Sequence, residues 1–205
     1  MALVDKKAPE LRFKGFTEDW EQCKLNDVAS IVGGGTPSTK NVNYWDGGIN
    51  WYSPFEIGNQ RYLSKSQRTI SELGLQKSSA KLLPVGTVLF SSRAGIGNTA
   101  ILCEEGTTNQ GFQSIVPYKN KLDSYFIYSK TKELKKYGET VGAGSTFSEV
   151  SGKQMENMPL KLPNIEEQKV ISKFFRRIDD TISLHQHKLE SLNKLKQAYL
   201  QKMFI

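Results

Sequence analysis

From Asn164 onward, apolar positions return by fours and threes: Ile171, Phe175, Ile178, Ile182, then His185, Leu189, Leu192, Lys196, Tyr199 and Met203. That spacing lays one stripe along one side of a helix, the seam of a coiled coil. Asn164 stands as an N-cap with Glu167 three residues later, and neither Pro nor Gly follows before Ile205. The pattern predicts a continuous helix of about 40 residues, roughly 60 Å long. A globule of this size is only roughly 35 Å wide. The seam therefore needs a partner, the alternative being a helix folded back on its own domain. His185 and Lys196 are polar members of the seam, which cost stability and set register in some coiled coils. A hydrogen-bonded seam position is the role expected of His185, in preference to a metal ligand or a general base.

Upstream, the pattern is mixed. Residues 9–20 combine aromatic and charged side chains without a period and read as an irregular arm. Leu25, Val28, Ala29 and Val32 recur at helical spacing until Gly33, Gly34 and Gly35 stop them. Residues 48–57 favour β structure up to Pro54. Thr69 and Glu72 have the spacing of a capping box for a short helix. Residues 86–91 and 99–103 read as buried strands joined across a turn at Gly95 and Gly97, with a third strand at 111–116. Asp123 is placed to cap a helix running to about Tyr137, with Phe126, Ile127, Lys130 and Leu134 as its narrow stripe. Residues 142–148 read as a flexible loop, and Pro159 and Pro163 bracket a short extended segment. The fold class expected is α+β: a mixed head over residues 1–160, followed by a long coiled-coil helix over 161–205.

Charge adds a partner class. A formal charge of +7 and a pI near 9.3 favour a polyanion, because Lys and Arg gain affinity by displacing condensed counterions. Cys23 and Cys103 are far apart and lack the spacing of a zinc site, so both are expected to be reduced packing residues. No apolar run approaches the roughly 20 residues of a membrane span, and the first residues lack a signal-peptide core. The expectation is a soluble, cytoplasmic chain without a membrane partner.

Three resemblances to enzyme motifs fail on context. Residues 33–40 lack the Gly-Lys-Ser/Thr ending of a phosphate loop. The Gly95-x-Gly97-x-x-Ala100 run is followed by a β-like stretch in place of a helix. Asp123 with Glu133, Leu134 and Lys135 has the letters of a metal-dependent nuclease, yet these residues fall on one surface helix, where capping and solvation account for them. The two histidines lie two residues apart on the long helix, leaving the head without a base for a nucleophile. What remains is a set of loops suited to DNA: Thr36, Ser38, Thr39 and Lys40; Ser91, Ser92 and Arg93; Thr108, Asn109 and Gln110; and Ser145 and Thr146. Arg reads guanine and Asn or Gln reads adenine through paired hydrogen bonds, while Ser, Thr and Lys chiefly hold phosphates.

The runs LRFKGFTEDWE, GGGTPST, YWDGGINW, SSAKLLPVGTVLFSSRAGIG, TNQGFQSI, GSTFSEVSG and LPNIEEQKVISKFF, then LNKLKQAYLQKMF, cover nearly the whole chain. In that order they resemble the specificity subunit of Type I restriction-modification enzymes. The resemblance implies a non-catalytic target recognition domain reading half of a bipartite DNA site, followed by a spacer helix that sets the gap and docks methyltransferase subunits. It places no cofactor on this chain; S-adenosylmethionine, ATP and Mg²⁺ are expected on the methyltransferase and restriction/translocase partners. One departure stands out: the family's usual subunit carries two recognition domains and two spacer helices, whereas this chain supplies one of each. Two copies pairing their helices antiparallel would restore the arrangement. The alternatives are a small nuclease working through Asp123 and Glu133, and a dimeric coiled-coil regulatory or assembly module.

Overall fold

The computed structural model describes residues 9–58, 60–93, 95–143 and 149–204. In chain order, β1 (Glu21–Lys24) leads through a single turn, α1 (Leu25–Val28), into β2 (Ala29–Gly33) and then β3 (Trp45–Tyr52). Next come β4 (Tyr62–Leu63), β5 (Arg68–Ile70), α2 (Glu72–Gln76), β6 (Val88–Phe90), β7 (Thr99–Leu102), β8 (Gly106–Thr108) and β9 (Gln113–Pro117). The chain finishes with α3 (Ser124–Ser129), α4 (Thr131–Gly142), α5 (Gly152–Glu156), β10 (Pro159–Leu162) and α6 (Ile165–Met203).

A central sheet ordered β2-β9-β6-β7-β4 carries the head, with β5-β3-β8 as a second sheet and β1-β10 as a two-stranded clasp. The two-residue period of a strand explains how the central sheet divides the core. Val88, Phe90, Ile101 and Ile115 pack toward Phe126, Ile127 and Leu134 of the helical layer. Leu89, Ala100, Leu102 and Phe112 face the opposite cluster, which holds Tyr52, Leu63 and Leu83. The expected β6/β7 hairpin is present with Val88 opposite Ile101, and Gly95 and Gly97 take φ of 102° and 93° in its turn, a backbone region open chiefly to glycine.

Three local expectations change. The helical spacing from Leu25 to Val32 yields only one helical turn, because Ala29 to Gly33 pair with Pro117 to Gln113 of β9; sheet pairing outweighs the local period. The cap of α2 is Ser71, whose Oγ accepts the Gly74 N–H at 3.0 Å, since Thr69 belongs to β5. Asp123 caps as expected, accepting the Tyr125 and Phe126 N–H groups at 3.0 and 2.9 Å. The helix it starts ends at Ser129, and α4 resumes at Thr131, whose hydroxyl lies 2.6 Å from that of Thr99 on β7. Residues 144–148, with Ser145 and Thr146, lie outside the described residues.

Asn164 caps α6 by accepting the Glu167 N–H at 3.0 Å, and 39 residues follow without interruption, about 58 Å of helix. Its first turns dock on the head. Arg12 of the arm holds buried Glu167 through two bonds of 2.8 and 2.7 Å. Gln168 accepts the Asp123 N–H at 3.0 Å and donates to the carbonyls of Lys121 and Pro163. Ser172 donates to Asp123 at 2.5 Å. Higher up, Arg61 binds Asp180 at 2.7 Å, Tyr125 donates to Asp179, and the Arg176 guanidinium lies 5.0 Å from the Tyr125 ring centre. Burial, helped by Asp179, pushes the Tyr125 hydroxyl far above its ordinary pKa, so it stays a donor. From Leu184 to Phe204 every residue is exposed. The helix thus neither folds back entirely nor stands entirely clear: its base is fixed to the head and its outer half is unpartnered in a single copy.

Candidate nucleic-acid interface

Four chain segments leave the sheets at the same end of the head. β2 ends at Gly33 opposite Gln113, where β9 begins. Beyond β6, Ser91 bridges Phe112. β3 and β8 run parallel with Tyr52 beside Thr108, so both continue in the same direction. Segments 34–36, 53–56, 91–93 and 109–111 therefore converge, and backbone bonds tie them together. Gly35 N–H donates to Thr108 O at 2.8 Å, Ser92 N–H to Gly111 O at 2.8 Å, and Asn109 N–H to Tyr52 O at 2.9 Å. Thr36 donates to Gln110 across two of the loops. A Cβ placed on Gly111 would lie 2.9 Å from Pro54 Cγ and 3.5 Å from Arg93 Nε, which puts the second and third loops around that glycine of the fourth.

The closest approach is at Gly34, where a Cβ would stand 1.9 Å from Asn109 O and 2.4 Å from Thr108 Oγ1. Gly34→Ala is therefore expected to lever the two loops apart at a cost of about 1–3 kcal/mol. The urea unfolding midpoint measures this; an unchanged midpoint would mean the loops part freely.

Thr36, Ser38, Thr39, Lys40 and Gln110 are exposed at this end, and Arg93 and Asn109 are half-buried. Ser91, Ser92 and Thr108 correct the expectation of surface hydroxyls: all three are buried. Ser91 Oγ donates to Gly95 O at 2.6 Å and accepts the Asn98 N–H at 2.9 Å, so it builds the hairpin turn from within. Ser92 O accepts the Val150 N–H at 2.9 Å and Thr108 O accepts from Gly35, so these residues hold the loops in place. Asn109 Oδ1 is partly committed too, accepting the Gly111 N–H at 2.7 Å. Their polar letters resemble a solvated loop, but the Ser91–Phe112 bridge carries the β6 chain inward.

One exposed side chain carried no sequence signal as a contact. Phe55, on the single 3-10 turn Pro54–Glu56, is 90% exposed beside this cluster. Lysines flank the same end. Gly97 packs on Lys135 of α4, where Lys132 and Lys136 are also exposed. On the other side Gly35 packs on Ser79 and Ala80, between exposed Lys77 and Lys81.

The acidic pair of the nuclease alternative serves structural ends. Asp123 caps α3 and anchors Ser172, while Glu133 pairs with Lys130 at 2.6 Å. Among the described residues, no group of three or more His, Cys, Asp and Glu side chains is placed to hold a metal ion, and no helix is long and apolar enough to cross a membrane.

On α6 the seam residues Phe175, Ile178, Ile182, Leu189, Leu192, Tyr199 and Met203 are 40–72% exposed. His185 and Lys196 are exposed with them and Ile171 is half-buried at the base. With roughly 100° per residue, the docking side chains Ser172 and Asp179 lie about 80° around the helix from the neighbouring seam residues Ile171, Phe175, Ile178 and Ile182. The head thus holds the side of α6 next to the seam and the base of the seam at Gln168 and Ile171, and leaves the apolar face outward farther along the helix. Leu195, 51% exposed, lies three residues after Leu192 and four before Tyr199 and so flanks that face beyond the seam counted from the sequence.

Residues 17–194 match the family described as the Type I restriction modification DNA specificity domain. The chain belongs to that family. The chain is 36% identical over 191 residues to the Type I restriction enzyme MjaIX specificity subunit of Methanocaldococcus jannaschii, covering 92% of this chain and 44% of that relative. It is 28% identical over 177 residues to the EcoR124I/EcoR124II specificity subunit of Escherichia coli, covering 82% of this chain and 43% of that one. Among solved structures, the HsdS subunit from Thermoanaerobacter tengcongensis shares the fold at a TM-score of 0.64 and 20% identity, over 93% of this chain and 46% of that one. The S subunit from M. genitalium does so at 0.64 and 16% identity, over 96% of this chain and 48% of its own. The specificity domain thus spans about half the length of these relatives, and the α+β head with its long C-terminal helix is the fold they share.

Proposed function

We propose that the chain reads one half of a bipartite DNA site through the converging loops, and that two copies joined antiparallel along the outer half of α6 read both halves. The observation that carries this reading is the convergence of Thr36, Arg93, Asn109 and Gln110 on one lysine-flanked end of a head rigidly mounted on the helix. Arg93 and the carboxamides supply discrimination between bases, and the lysines supply phosphate affinity. Two copies related by a two-fold axis would face an inverted repeat, the length of α6 setting its gap. Their summed length is close to that of one matched relative. Methyltransferase subunits bearing S-adenosylmethionine would modify adenine in each half-site, and a translocating subunit using ATP and Mg²⁺ would restrict unmodified DNA. This chain directs both and performs neither.

Methylome sequencing of cells carrying the chain with a cognate methyltransferase tests the reading: an inverted repeat with a fixed gap is expected, and an asymmetric motif would refute the paired arrangement. In the same assay Arg93→Ala is expected to relax one position of each half-site by about 1–3 kcal/mol of discrimination. An unaltered motif would remove Arg93 from the readers.

A further inference from the structure

Phe55 is out of place by the usual logic of burial. It is 90% exposed, while Pro54 before it and Ile57 after it are buried. Its mount is unusually well tied for a surface turn. Glu56 Oε1 accepts the Ser53 N–H at 2.8 Å and the Ser53 hydroxyl at 3.0 Å, its Oε2 accepts the Gln67 N–H at 2.7 Å, and Glu56 N–H donates to Ser53 O at 3.0 Å. Pro54 packs against Gly111, between Asn109 and Arg93. An apolar ring is thus held outward on a braced turn, beside a polar and cationic surface. Water gains nothing from its exposure, and the core gains nothing from its rigidity.

We propose that Phe55 is a wedge that inserts between stacked bases of the half-site and unstacks one step. The inference rests on the DNA-reading assignment and adds a contact of a different kind to it. An apolar side chain entering a base step must offset the cost of unstacking, and it does so more readily from a backbone that is already ordered and loses little further freedom on binding. The braced 53–56 turn meets that requirement, and the neighbouring Arg93, Asn109 and Gln110 would hold the adjoining base edges while the step opens. The polar, lysine-flanked surroundings favour a nucleic-acid occupant over a protein groove, whose centre would be depleted of charge. A step loosened in this way would also lower the cost of extruding a nearby base for chemistry by a partner.

The test uses the full chain and a duplex carrying the motif obtained from methylome sequencing, with 2-aminopurine placed in turn at each half-site position. The chain is expected to raise fluorescence at one step. Phe55→Ala should abolish that rise and weaken binding about ten-fold, whereas Phe55→Trp should keep both. Because the ring is exposed, neither substitution disturbs the core, and an unchanged thermal midpoint confirms it. Equal affinity and equal fluorescence in Phe55→Ala would overturn the proposal. So would tight binding by the unaltered chain without a fluorescence rise at any position, which leaves DNA reading intact. Loss of methyltransferase binding in Phe55→Ala with DNA binding retained would overturn it in favour of a protein contact. Failure of the unaltered chain to prefer the motif duplex would instead refute the reading on which the wedge depends.

Discussion

Leu189→Glu combined with Leu192→Glu is expected to give a helical, folded monomer that no longer supports modification. In one copy these side chains are 59% and 53% exposed, and Glu is a good helix former, so neither the head nor the helix should change. In the proposed pair, four leucines would leave water, worth about 1.5–3 kcal/mol each when fully buried. Four carboxylates in the same seam would both forfeit that gain and repel one another. The dissociation constant should rise by at least about a thousand-fold, each 1.4 kcal/mol being a factor of ten. Sedimentation of the variant beside the unaltered chain reads the mass, and methylome sequencing reads the consequence. A variant that stays dimeric would show that the two copies meet elsewhere. The unaltered chain running as a monomer at high concentration would remove the geometry on which an inverted repeat depends.

The largest loss of stability is expected at the junction between head and helix. Asp123 accepts two N–H groups of α3 and the hydroxyl of Ser172, which is buried. Asp123→Ala removes a cap worth about 1–2 kcal/mol and leaves a buried hydroxyl short of a partner at about 1–3 kcal/mol. The sum is about 2–5 kcal/mol of unfolding free energy, read from chemical denaturation. Asp123→Asn keeps a carbonyl acceptor for the cap and should recover much of it. A full-sized loss in the Asn variant would mean that charge, and not the acceptor, holds the junction. The effect has a functional side, because the same carboxylate aligns α3 with α6 and so helps to set the direction in which the outer helix leaves the head. The motif of the proposed reading should therefore keep its half-site bases in Asp123→Asn while the preferred gap stays fixed.

Features whose cause lies within a few residues were legible in the order of the amino acids. The Asn164 cap and the four-and-three spacing specified a long amphipathic helix, because hydrogen bonding and side-chain direction repeat locally along it. The apolar runs around Gly95 and Gly97 specified a hairpin for the same reason, since that turn takes a backbone open chiefly to glycine. The succession of motifs along the chain pointed to the family that the comparisons show. Tertiary structure alone decided which polar residues stand at the surface. Ser91 and Ser92 read like Thr36 and Ser38, yet the bridge to Phe112 buries the first two. The reverse holds for Phe55, an apolar residue whose braced turn keeps it outside. The meeting of Gly34 with Asn109, and of Pro54 with Gly111, depends on strand pairings between segments far apart in the chain, to which no local period responds. The same limit hid how α6 divides its faces: the spacing revealed an apolar seam, but only the packing of Gln168, Ser172 and Asp179 on the head showed that this seam is turned outward.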